Sequence, residues 1–545
     1  MSPIRIELYD STLRDGAQTE GVTFSLNDKL VATSRLDELG IDYVEGGYPA
    51  SNEKDKSYFE QIGKTRLQSA QVCAFGMTRR KGMRADQDAG LGALVGCSAP
   101  ILTIVGKSSL FQAHEALCVT PEENLAMIEE TIRFAVESGK TVFYDAEHFF
   151  DGWKDNAEYS LETLCAAFKA GAGTITLCDT NGGSTPEEVA EGVRQALSAL
   201  NEVAQSSGVS AKLGIHAHND CGLAVANSLA AVDAGATLVQ GTMNGLGERC
   251  GNADLLVVAA NLALKKGGRY DLLRPHSIEC LTEFSRFFYE LTNVNPNIRQ
   301  PFVGKSAFAH KGGMHVSGIN RCTASYEHID PSVVGNERRI LVSELSGKSN
   351  ILACAKKYHL EDQGALDSET IKKILDAVSE KESQGYQYEA ADGSFKLLVR
   401  KIKGEFRPSF KRINYQTSVV VTVVNESLTT NSTVATVKLS VGRRGEIRHV
   451  VAEGDGPVDA LNNALRKALQ PIYPELGEMK LIDYKVRVLN SDAATAATTR
   501  VIIESKDSEE RWGTVGVSEN VVEASWIALC DSIEYKLSKV LTDKD

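Results

Sequence analysis

Along the first half of the chain, short runs of apolar and β-branched residues alternate with longer stretches in which apolar residues recur every three or four positions. The first pattern predicts buried strands and the second predicts amphipathic helices. The segment SLNDKLVATSRLDELG predicts a helix that Ser25 caps and Gly40 ends. Its apolar stripe is Leu30, Leu36 and Leu39. Eight strands are predicted before residue 275, at 4–10, 43–47, 70–75, 101–106, 141–147, 174–180, 212–218 and 237–242.

Eight strand–helix units in this length favour a (β/α)8 barrel, in which parallel strands close into a cylinder inside a ring of helices. A doubly wound open sheet is the alternative. Two features count against the open sheet, because no G-x-G-x-x-G follows the first strand and the charged motifs follow several different strands. The predicted fold class is therefore α/β, with a TIM barrel as the catalytic domain over residues 1–275.

The remainder of the chain changes character twice. Residues 276–404 predict helices broken by a Gly- and His-rich loop, FAHKGGMHVSGINRCTASYEHIDPSVVG, and the chain is β-rich from residue 405. Two segments there resemble each other, GPVDALNNALRKAL at 456–469 and NVVEASWIALCDSI at 520–533. Such a repeat predicts a pseudo-symmetric α+β module. We therefore expect helical linker subdomains over 276–404 and a regulatory or dimerising domain over 405–545.

The bulk composition limits the classes of partner. A formal net charge of -13 and a pI near 5.4 disfavour non-specific binding to nucleic acids and anionic membranes. The N-terminus has no apolar signal core, and the apolar runs are shorter than the roughly 18 residues that span a bilayer. The 11 cysteines include no C-x-x-C pair, which indicates reduced thiols. We expect a cytoplasmic protein without nucleic-acid or membrane partners.

Two histidines carry the sharpest local signal. His216 and His218 in GIHAHND are two residues apart, so on a strand they project from the same face and suit two metal ligands. Two solvated or hydrogen-bonded histidines at a strand end are the alternative. The other charged or polar residues at predicted strand ends are Asp15, Glu45, Glu147, Asp179 and Asn252. In a barrel these strand ends meet at one rim. Each of these residues alone could instead be a helix cap or a member of a salt bridge, and Asp179 in DTNGG is a plausible N-terminal helix cap.

One aspartate, two histidines and an amide oxygen form a mixed set of oxygen and nitrogen ligands without a thiolate. The set Asp15, His216, His218 and Asn252 suits Mg²⁺, Mn²⁺ or Zn²⁺ with positions left for a substrate. Arg14 would face the same centre, and its guanidinium suits a carboxylate or a developing alkoxide. A structural salt bridge is the alternative for Arg14.

Three motifs resemble the signature set of the metal-dependent TIM-barrel acyltransferases and lyases that include the isopropylmalate, homocitrate and citramalate synthases. They are TLRDGAQ at 12–18, HAHND at 216–220 and GLGERCGNADL at 245–255. The resemblance covers essentially the whole chain, including the helical middle and the repeated module. YVEGGYPASN and CDTNGG are most similar to the citramalate-forming branch, since Gly46 and Asn181 depart from the isopropylmalate-forming type.

The resemblance implies a role for each matching residue. The matches are Asp15, His216 and His218 to the metal ligands, Asn252 to a fourth ligand, Arg14 to an arginine that assists carbonyl polarisation, Glu147 to a catalytic glutamate, and Thr180 to a threonine that contacts the substrate carboxylate. His315 and Tyr326 match residues that reach the barrel of the partner subunit. His310 competes with His315, because both lie in one loop, and a hydrogen-bonded loop histidine is the alternative for either.

The activity that the resemblance implies is a condensation of acetyl-CoA with pyruvate, followed by hydrolysis of the thioester to citramalate and coenzyme A. His315, Glu147 and Tyr326 are unranked candidates for the base that removes a methyl proton. The repeated module implies feedback inhibition, with isoleucine as the expected effector and leucine as the alternative, in a homodimer.

Three alternatives stay open at this point. An isopropylmalate synthase would differ mainly in pocket volume, and one or two methylenes discriminate by only roughly 1–3 kcal/mol. A homocitrate synthase, or a lyase or aldolase that runs the carbon–carbon bond in reverse, would use the same ligands, although the C-terminal module favours a regulated synthase over a lyase. A non-catalytic metal sensor belongs to a different class, and the intact set of Arg14, Asp15, His216, His218 and Asn252 argues against it.

Overall fold

The computed structural model describes residues 3–207, 211–341, 350–351, 367–425, 428–442, 444–489 and 497–540. The chain forms two compact units, one of Met1–Phe308 with Asp330–Glu337 and one of Ala309–Ile329 with Arg338–Asp545. The division into three domains at residues 275 and 404 stays a prediction. No helix within the described residues is long and apolar enough to cross a membrane.

The first unit contains a closed barrel of eight parallel strands, which confirms the predicted fold class. The strands are β1 Glu7–Asp10, β2 Tyr43–Gly47, β3 Gln71–Met77, β4 Ile101–Lys107, β5 Thr141–Glu147, β6 Thr174–Asp179, β7 Lys212–Ala217 and β8 Leu238–Gly241. The barrel closes where β1 pairs with β8 in a parallel register that runs from Glu7 opposite Leu238 to Asp10 opposite Gly241. All eight carboxyl ends therefore lie on one rim.

Helices follow the strands around the outside of the barrel. They are α1 Leu26–Leu39, α2 Glu53–Ile62, α3 Ala89–Val95, α4 Pro121–Glu137, α5 Phe149–Asp155, α6 Ala157–Lys169, α7 Pro186–Ser207, α8 Ala224–Ala234 and α9 Leu255–Lys265, and α10 Leu281–Thr292 completes this unit. The predicted limits of α1 are confirmed, since Ser25 forms a capping box and Gly40 ends the helix in the left-handed region. The predicted stripe was wrong at one position, because Leu30 is half-buried and the neighbouring Lys29 is buried, where it pairs with Asp55.

The inside of the barrel changes from apolar to polar along its axis. An apolar layer contains Tyr43, Ile101, Phe143 and Leu238, together with Tyr9 and Cys73. Two residues further along the same four strands come the buried polar residues Glu45, Thr103, Asp145 and Gln240. Because residues i and i+2 of a strand point to the same side, these residues form the next layer of the interior. This polar layer lies beneath the rim.

The second unit begins with the short strand Ala309–His310, and helix α11, Gly313–Arg321, follows inside the segment that the sequence predicts as a loop. That prediction was wrong there, because Val316 and Ile319 are three residues apart and can be buried together on one helical face. Helices α12 Ser368–Ser383 and α13 Asp392–Ile402 come later in this unit.

The predicted repeat is confirmed as two copies of a three-stranded antiparallel sheet followed by a helix. The first copy is β9 Phe410–Asn425, β10 Leu428–Val441, β11 Glu446–Gly454 and α14 Pro457–Leu469, and the second is β12 Lys480–Val488, β13 Thr499–Lys506, β14 Arg511–Ser518 and α15 Val521–Val540. Both helices bury apolar side chains against the sheets in one core, with Leu465 and Leu529 among them. The opposite sheet surfaces leave apolar residues exposed, including Val421 and Val488.

Candidate metal centre and active site

Two of the predicted metal ligands come from the end of β7 and a third from the loop after β1. The Nε2 atoms of His216 and His218 are 3.3 Å apart. Oδ2 of Asp15 lies 3.2 Å from Nε2 of His216. Asp15 reaches this point because the chain turns tightly after β1, where the carbonyl of Ser11 accepts the N–H of Asp15 at 2.8 Å. Side chains far apart in the sequence thus place three ligand atoms within 4.8 Å of one another.

Asn252 lies next to this cluster. Its backbone forms an isolated antiparallel bridge with His218, and its Nδ2 donates to the carbonyl of Leu246 at 3.0 Å. Its Oδ1 is buried and has no hydrogen-bond partner within the described part of the chain, and the same is true of Nδ1 of His218. An unpartnered buried polar atom costs about 1–3 kcal/mol. Oδ1 of Asn252 is therefore suited to a cation ligand, as an amide oxygen should be.

The local charges hold the cluster in the forms that bind cations. Burial raises the pKa of Asp15, but Arg14 and the two histidines outweigh burial and bring the pKa well below its usual range. Burial and the nearby His216 lower the pKa of His218 to about 4. Burial also acts to lower the pKa of His216, but the hydrogen bond and charge of Asp15 leave that pKa raised. Near neutral pH, Asp15 is an anion and His218 a neutral imidazole.

These residues fit a divalent cation. Across the part of the chain that the structure describes, no second group of three His, Cys, Asp or Glu side chains has ligand atoms this close together. The donor atoms are a carboxylate, two imidazoles and an amide oxygen without a thiolate, a set that suits Mg²⁺, Mn²⁺ or Zn²⁺.

Arg14 is held at the edge of the cluster by three neighbours. Its Nε lies 2.7 Å from Oε2 of Glu45, and its NH1 lies 3.6 Å from Oδ2 of Asp15. The centre of the guanidinium is 4.2 Å from the centroid of the Phe75 ring, a cation–π contact. The hydroxyl of Tyr9 donates to the second oxygen of Glu45 at 2.8 Å. Arg14 is thus fixed in place, and it serves both as a salt-bridge partner and as a cation beside the metal ligands.

Thr180 and Glu147 lie at the ends of neighbouring strands, β6 and β5. Oγ1 of Thr180 accepts the backbone N–H of His148 at 2.8 Å, so its own hydrogen is free to donate elsewhere. Oε2 of Glu147 lies 2.5 Å from Nζ of Lys107 at the end of β4. Asn181, which follows Thr180, donates its amide to Asp151 at 2.8 Å.

The two remaining strand-end acids have local hydrogen-bonding roles. Asp179 accepts the hydroxyl of Ser184 at 2.9 Å and its N–H at 3.3 Å. It does not cap helix α7, because Oγ1 of Thr185 accepts the N–H of Glu188 at 3.4 Å at that helix end. Glu45 is fully buried between Arg14 and Tyr9. Neither residue belongs to the cluster of ligand atoms.

His315 and Tyr326 belong to the second compact unit. Their rings stack with centroids 4.2 Å apart and planes inclined by 22°, and both residues are exposed. His310 differs from His315, because it is buried and its Nε2 lies 3.1 Å from Oε1 of Glu327, which Arg338 also binds. His310 thus has a structural partner, whereas the stacked pair presents its ring atoms to the surroundings.

Three residues near the site were not predicted. Lys107 pairs with Glu147, and Gln240 and Asp145 lie in the polar layer beneath the ligands. A signal for two of them is present in the sequence. Lys107 ends the otherwise apolar strand ILTIVGK, and Gln240 interrupts the apolar run TLVQ.

Three known families match successive segments of the chain. Residues 5–284 match the HMGL-like family, residues 302–385 match the homocitrate synthase post-HMGL domain-like family, and residues 389–537 match the LeuA allosteric (dimerisation) domain. The last match indicates that the repeated module is a dimerisation and regulatory domain.

Comparison with curated proteins gives matches over nearly the whole chain. The (R)-citramalate synthase of Geobacter sulfurreducens is 48% identical, and that of Aquifex aeolicus is 46% identical, each alignment covering 98% of both chains. A probable 2-isopropylmalate synthase of Methanopyrus kandleri is 32% identical, over 96% of both chains.

Proposed function

The chain belongs to the family of the (R)-citramalate synthases, and we propose that it transfers the acetyl group of acetyl-CoA to pyruvate and releases citramalate and coenzyme A. The observation that carries this proposal is the convergence of Asp15, His216 and His218 at the rim of the barrel, with Arg14 beside them. A charged 2-oxo acid with a reactive ketone is the kind of substrate that such a site suits.

Asp15, His216, His218 and Asn252 would hold a divalent cation. Such a cation acts, when bound, as a Lewis acid on the keto group of the 2-oxo acid. Arg14 stabilises the negative charge that develops on the keto oxygen as the new carbon–carbon bond forms. Its contacts with Glu45 and Phe75 hold the guanidinium in position before the reaction begins, so little reorganisation is needed.

Thr180 recognises the carboxylate of the substrate. Because its Oγ1 already accepts the N–H of His148, the hydroxyl hydrogen is directed to another acceptor. A carboxylate oxygen of a 2-oxo acid is an acceptor of the required kind. Thr180 thus favours an anionic substrate in one orientation.

A base must remove a proton from the methyl group of acetyl-CoA before carbon attacks the ketone. Glu147, His315 and Tyr326 are the candidates, and the partner subunit supplies the last two. Lys107 pairs with Glu147 and keeps its carboxylate beside a cation. After carbon–carbon bond formation, water attacks the thioester carbonyl and coenzyme A leaves as the thiol.

A 2-isopropylmalate synthase is the second candidate, because a relative with that name is 32% identical over 96% of both chains. The two reactions share the condensation and differ in the side chain of the 2-oxo acid. The larger identity to the citramalate-forming relatives favours pyruvate over 2-oxoisovalerate.

The C-terminal module would supply control. Its match to an allosteric dimerisation domain supports a homodimer with an amino-acid effector, and isoleucine is the proposed effector, because citramalate leads toward isoleucine. The described cysteines are free thiols, which supports a reducing compartment such as the cytoplasm.

The test is release of free thiol from acetyl-CoA with one 2-oxo acid at a time and a divalent cation present. Pyruvate, 2-oxobutyrate, 2-oxoisovalerate and 2-oxoglutarate form the series. Thiol release chiefly with pyruvate, reduced by isoleucine but not by leucine, is the expected result. A preference for 2-oxoisovalerate would favour the second candidate, and no release with any acid would contradict a synthase.

A further inference from the structure

Gln240 connects a metal ligand to a buried carboxylate. It lies in β8 with no exposed surface, directly in the polar layer beneath His216. Its Oε1 lies 2.8 Å from Nδ1 of His216. Its Nε2 lies 2.8 Å from Oδ1 of Asp145 and 3.2 Å from Oγ1 of Thr176. Gln240 and its three partners come from β8, β7, β5 and β6, so closure of the barrel brings them together.

The partners of Gln240 determine which way its amide points. The carboxylate of Asp145 accepts hydrogen bonds, so the NH₂ group of Gln240 faces it and the carbonyl oxygen faces His216. An amide oxygen only accepts, and Nδ1 of His216 must therefore carry the hydrogen that it donates to Gln240. A neutral His216 then has its lone pair on Nε2.

That lone pair points toward the ligand cluster. Nε2 of His216 is the atom that lies 3.2 Å from the carboxylate of Asp15 and 3.3 Å from Nε2 of His218. The opposite tautomer would place a hydrogen on Nε2, and His216 would then bind Asp15 by a hydrogen bond instead of offering a ligand atom. The orientation of the Gln240 amide therefore decides whether Nε2 of His216 is available to a cation or donates a hydrogen bond to Asp15.

We infer that Gln240 is a positioning residue for the cation site, because it sets the tautomer and the ring orientation of His216. Histidine ligands commonly donate their second ring N–H to an acceptor that fixes them, and loss of that acceptor typically weakens metal binding by about 10–100-fold. This inference rests on the proposed function for the identity of the site. It adds a residue that contacts neither substrate nor cation.

The neutral amide has a second consequence. A carboxylate at position 240 would lie beside Asp145 and would repel it. The amide instead donates to Asp145 and accepts from His216 without adding a charge. Asp15 is then the one anion among the four proposed ligands, and the centre keeps a net positive charge when a divalent cation is bound. Such a centre attracts an anionic 2-oxo acid.

The experiment measures Mn²⁺ binding to the chelator-treated full-length protein, by electron paramagnetic resonance of free Mn²⁺, without acetyl-CoA. Gln240→Met keeps the length of the side chain and removes the acceptor, and its Kd for Mn²⁺ should rise by about 10–100-fold. The matched control is Asn227→Leu. Asn227 is an equally buried amide, and its Nδ2 donates to the carboxylate of Asp179 at 3.4 Å and to the carbonyl of Ser184 at 2.8 Å, so it binds no metal ligand there. The control should bind Mn²⁺ as the wild type does.

A double variant that exchanges the amide at position 240 with the carboxylate at position 145, called the swapped pair, distinguishes loss of the acceptor for His216 from a general loss of structure. In the double variant Gln240→Glu with Asp145→Asn, the new glutamate accepts the hydrogen of His216 and the new asparagine donates to the glutamate. The total charge, the hydrogen bond with His216 and the hydrogen bond between positions 240 and 145 are kept, and the hydroxyl of Thr176 becomes a donor to position 240 instead of an acceptor. The double variant should bind Mn²⁺ at least roughly tenfold more tightly than Gln240→Met.

¹⁵N spectra of histidine-labelled apoprotein supply a second readout, taken at alkaline pH so that His216 is neutral, because Asp15 raises the pKa of His216. The wild type and the swapped pair should show the Nδ1–H tautomer of His216, and Gln240→Met should lose it. Wild-type Mn²⁺ affinity in folded Gln240→Met, or affinity in the swapped pair no better than in Gln240→Met, would overturn the inference. If Gln240→Met does not fold, the inference is tested by the Mn²⁺ affinity of the swapped pair, which should be that of a functional site, and by the tautomer of His216 in the wild-type spectrum. Absence of thiol release by the wild type would count against the proposed function alone, since Mn²⁺ binding is measured separately.

Discussion

Arg14 and Glu45 form an ion pair in which Nε lies 2.7 Å from Oε2, and the side chain of Glu45 has no exposed surface. The hydroxyl of Tyr9 occupies the other oxygen of Glu45 at 2.8 Å. Glu45 itself is not in the group of ligand atoms, but it fixes the cation that lies next to Asp15. The position of Arg14 thus depends on a residue from a different strand.

Replacement of Glu45 by glutamine should disturb the orientation of Arg14 without removing a ligand of the cation. The amide oxygen of glutamine can still accept from Nε, but the guanidinium loses its anionic partner and is held less firmly, so kcat/KM for pyruvate should fall by about a hundredfold. The free energy of unfolding should fall by about 3 kcal/mol, because a buried charge loses its partner. Steady-state thiol release and Mn²⁺ titration are the measurements. Unchanged kcat/KM in a folded variant would contradict this role of Glu45.

Removal of the divalent cation should abolish activity and lower thermal stability together. A ligand that binds only the folded state at about one hundred times its Kd stabilises that state by about 2.7 kcal/mol. Dialysis against a chelator, followed by calorimetry and thiol release, tests this, and added Mn²⁺ or Mg²⁺ should restore both properties. His218→Ala should behave like the chelated wild type, and full activity of His218→Ala would exclude this ligand set.

Asp10 should make the stability of the apoprotein depend on pH. The residue is fully buried, and burial raises its pKa to about 7 despite its hydrogen bonds to Thr12. The usual value in an unfolded chain is about 3.9. Between these two values the folded state binds the proton that the unfolded state has lost, so the free energy of unfolding falls as the pH rises.

Asp10→Asn tests this dependence, because the amide does not titrate. Chemical denaturation of the two chelated proteins should give a difference in unfolding free energy that grows from pH 5 to pH 8. The variant should be the more stable protein at pH 8, by up to about 3–4 kcal/mol. A difference that stays constant across this range would contradict the raised pKa of Asp10.

Lys107 and Glu147 should act as one unit in the reaction. Nζ and Oε2 are 2.5 Å apart at the ends of adjacent strands, and both side chains are partly exposed. Lys107→Met and Glu147→Gln should each lower kcat/KM, and the double variant should lose less than the sum of the two. We expect a coupling of about 1–2 kcal/mol in the double-mutant cycle.

Stability distinguishes a catalytic from a structural role for this pair. A partly exposed ion pair contributes at most about 1 kcal/mol to folding, so the melting temperatures of the three variants should stay close to that of the wild type. Additive losses of activity, or large losses of stability, would contradict a shared role at the rim of the barrel.

Much of the architecture could be read from local patterns. Eight apolar runs separated by amphipathic stretches lead to a barrel, because each strand and helix must bury its apolar surface against the next. The spacing of His216 and His218 on a strand places both side chains on one face, whatever the rest of the fold. The Ser25 cap and the Gly40 end of α1 are likewise local.

The helix within residues 309–329 shows the limit of such patterns. Glycines at 312, 313 and 318 indicate a loop, yet residues 313–321 are helical because burial of Val316 and Ile319 outweighs a poor intrinsic propensity. Lys29 is a similar case, since a charged residue occupies a buried face of α1 and finds Asp55 there.

The sequence alone thus determined the strands, the caps, the repeat and the candidate ligands, since each depends on residues close together in the chain. Tertiary structure decided which side chains meet. Arg14 with Glu45, Lys107 with Glu147, and Gln240 with His216 each join residues from different strands or from the loop after a strand. Those contacts depend on the register in which eight parallel strands close. No local pattern encodes that register, because it follows from packing the whole interior at once.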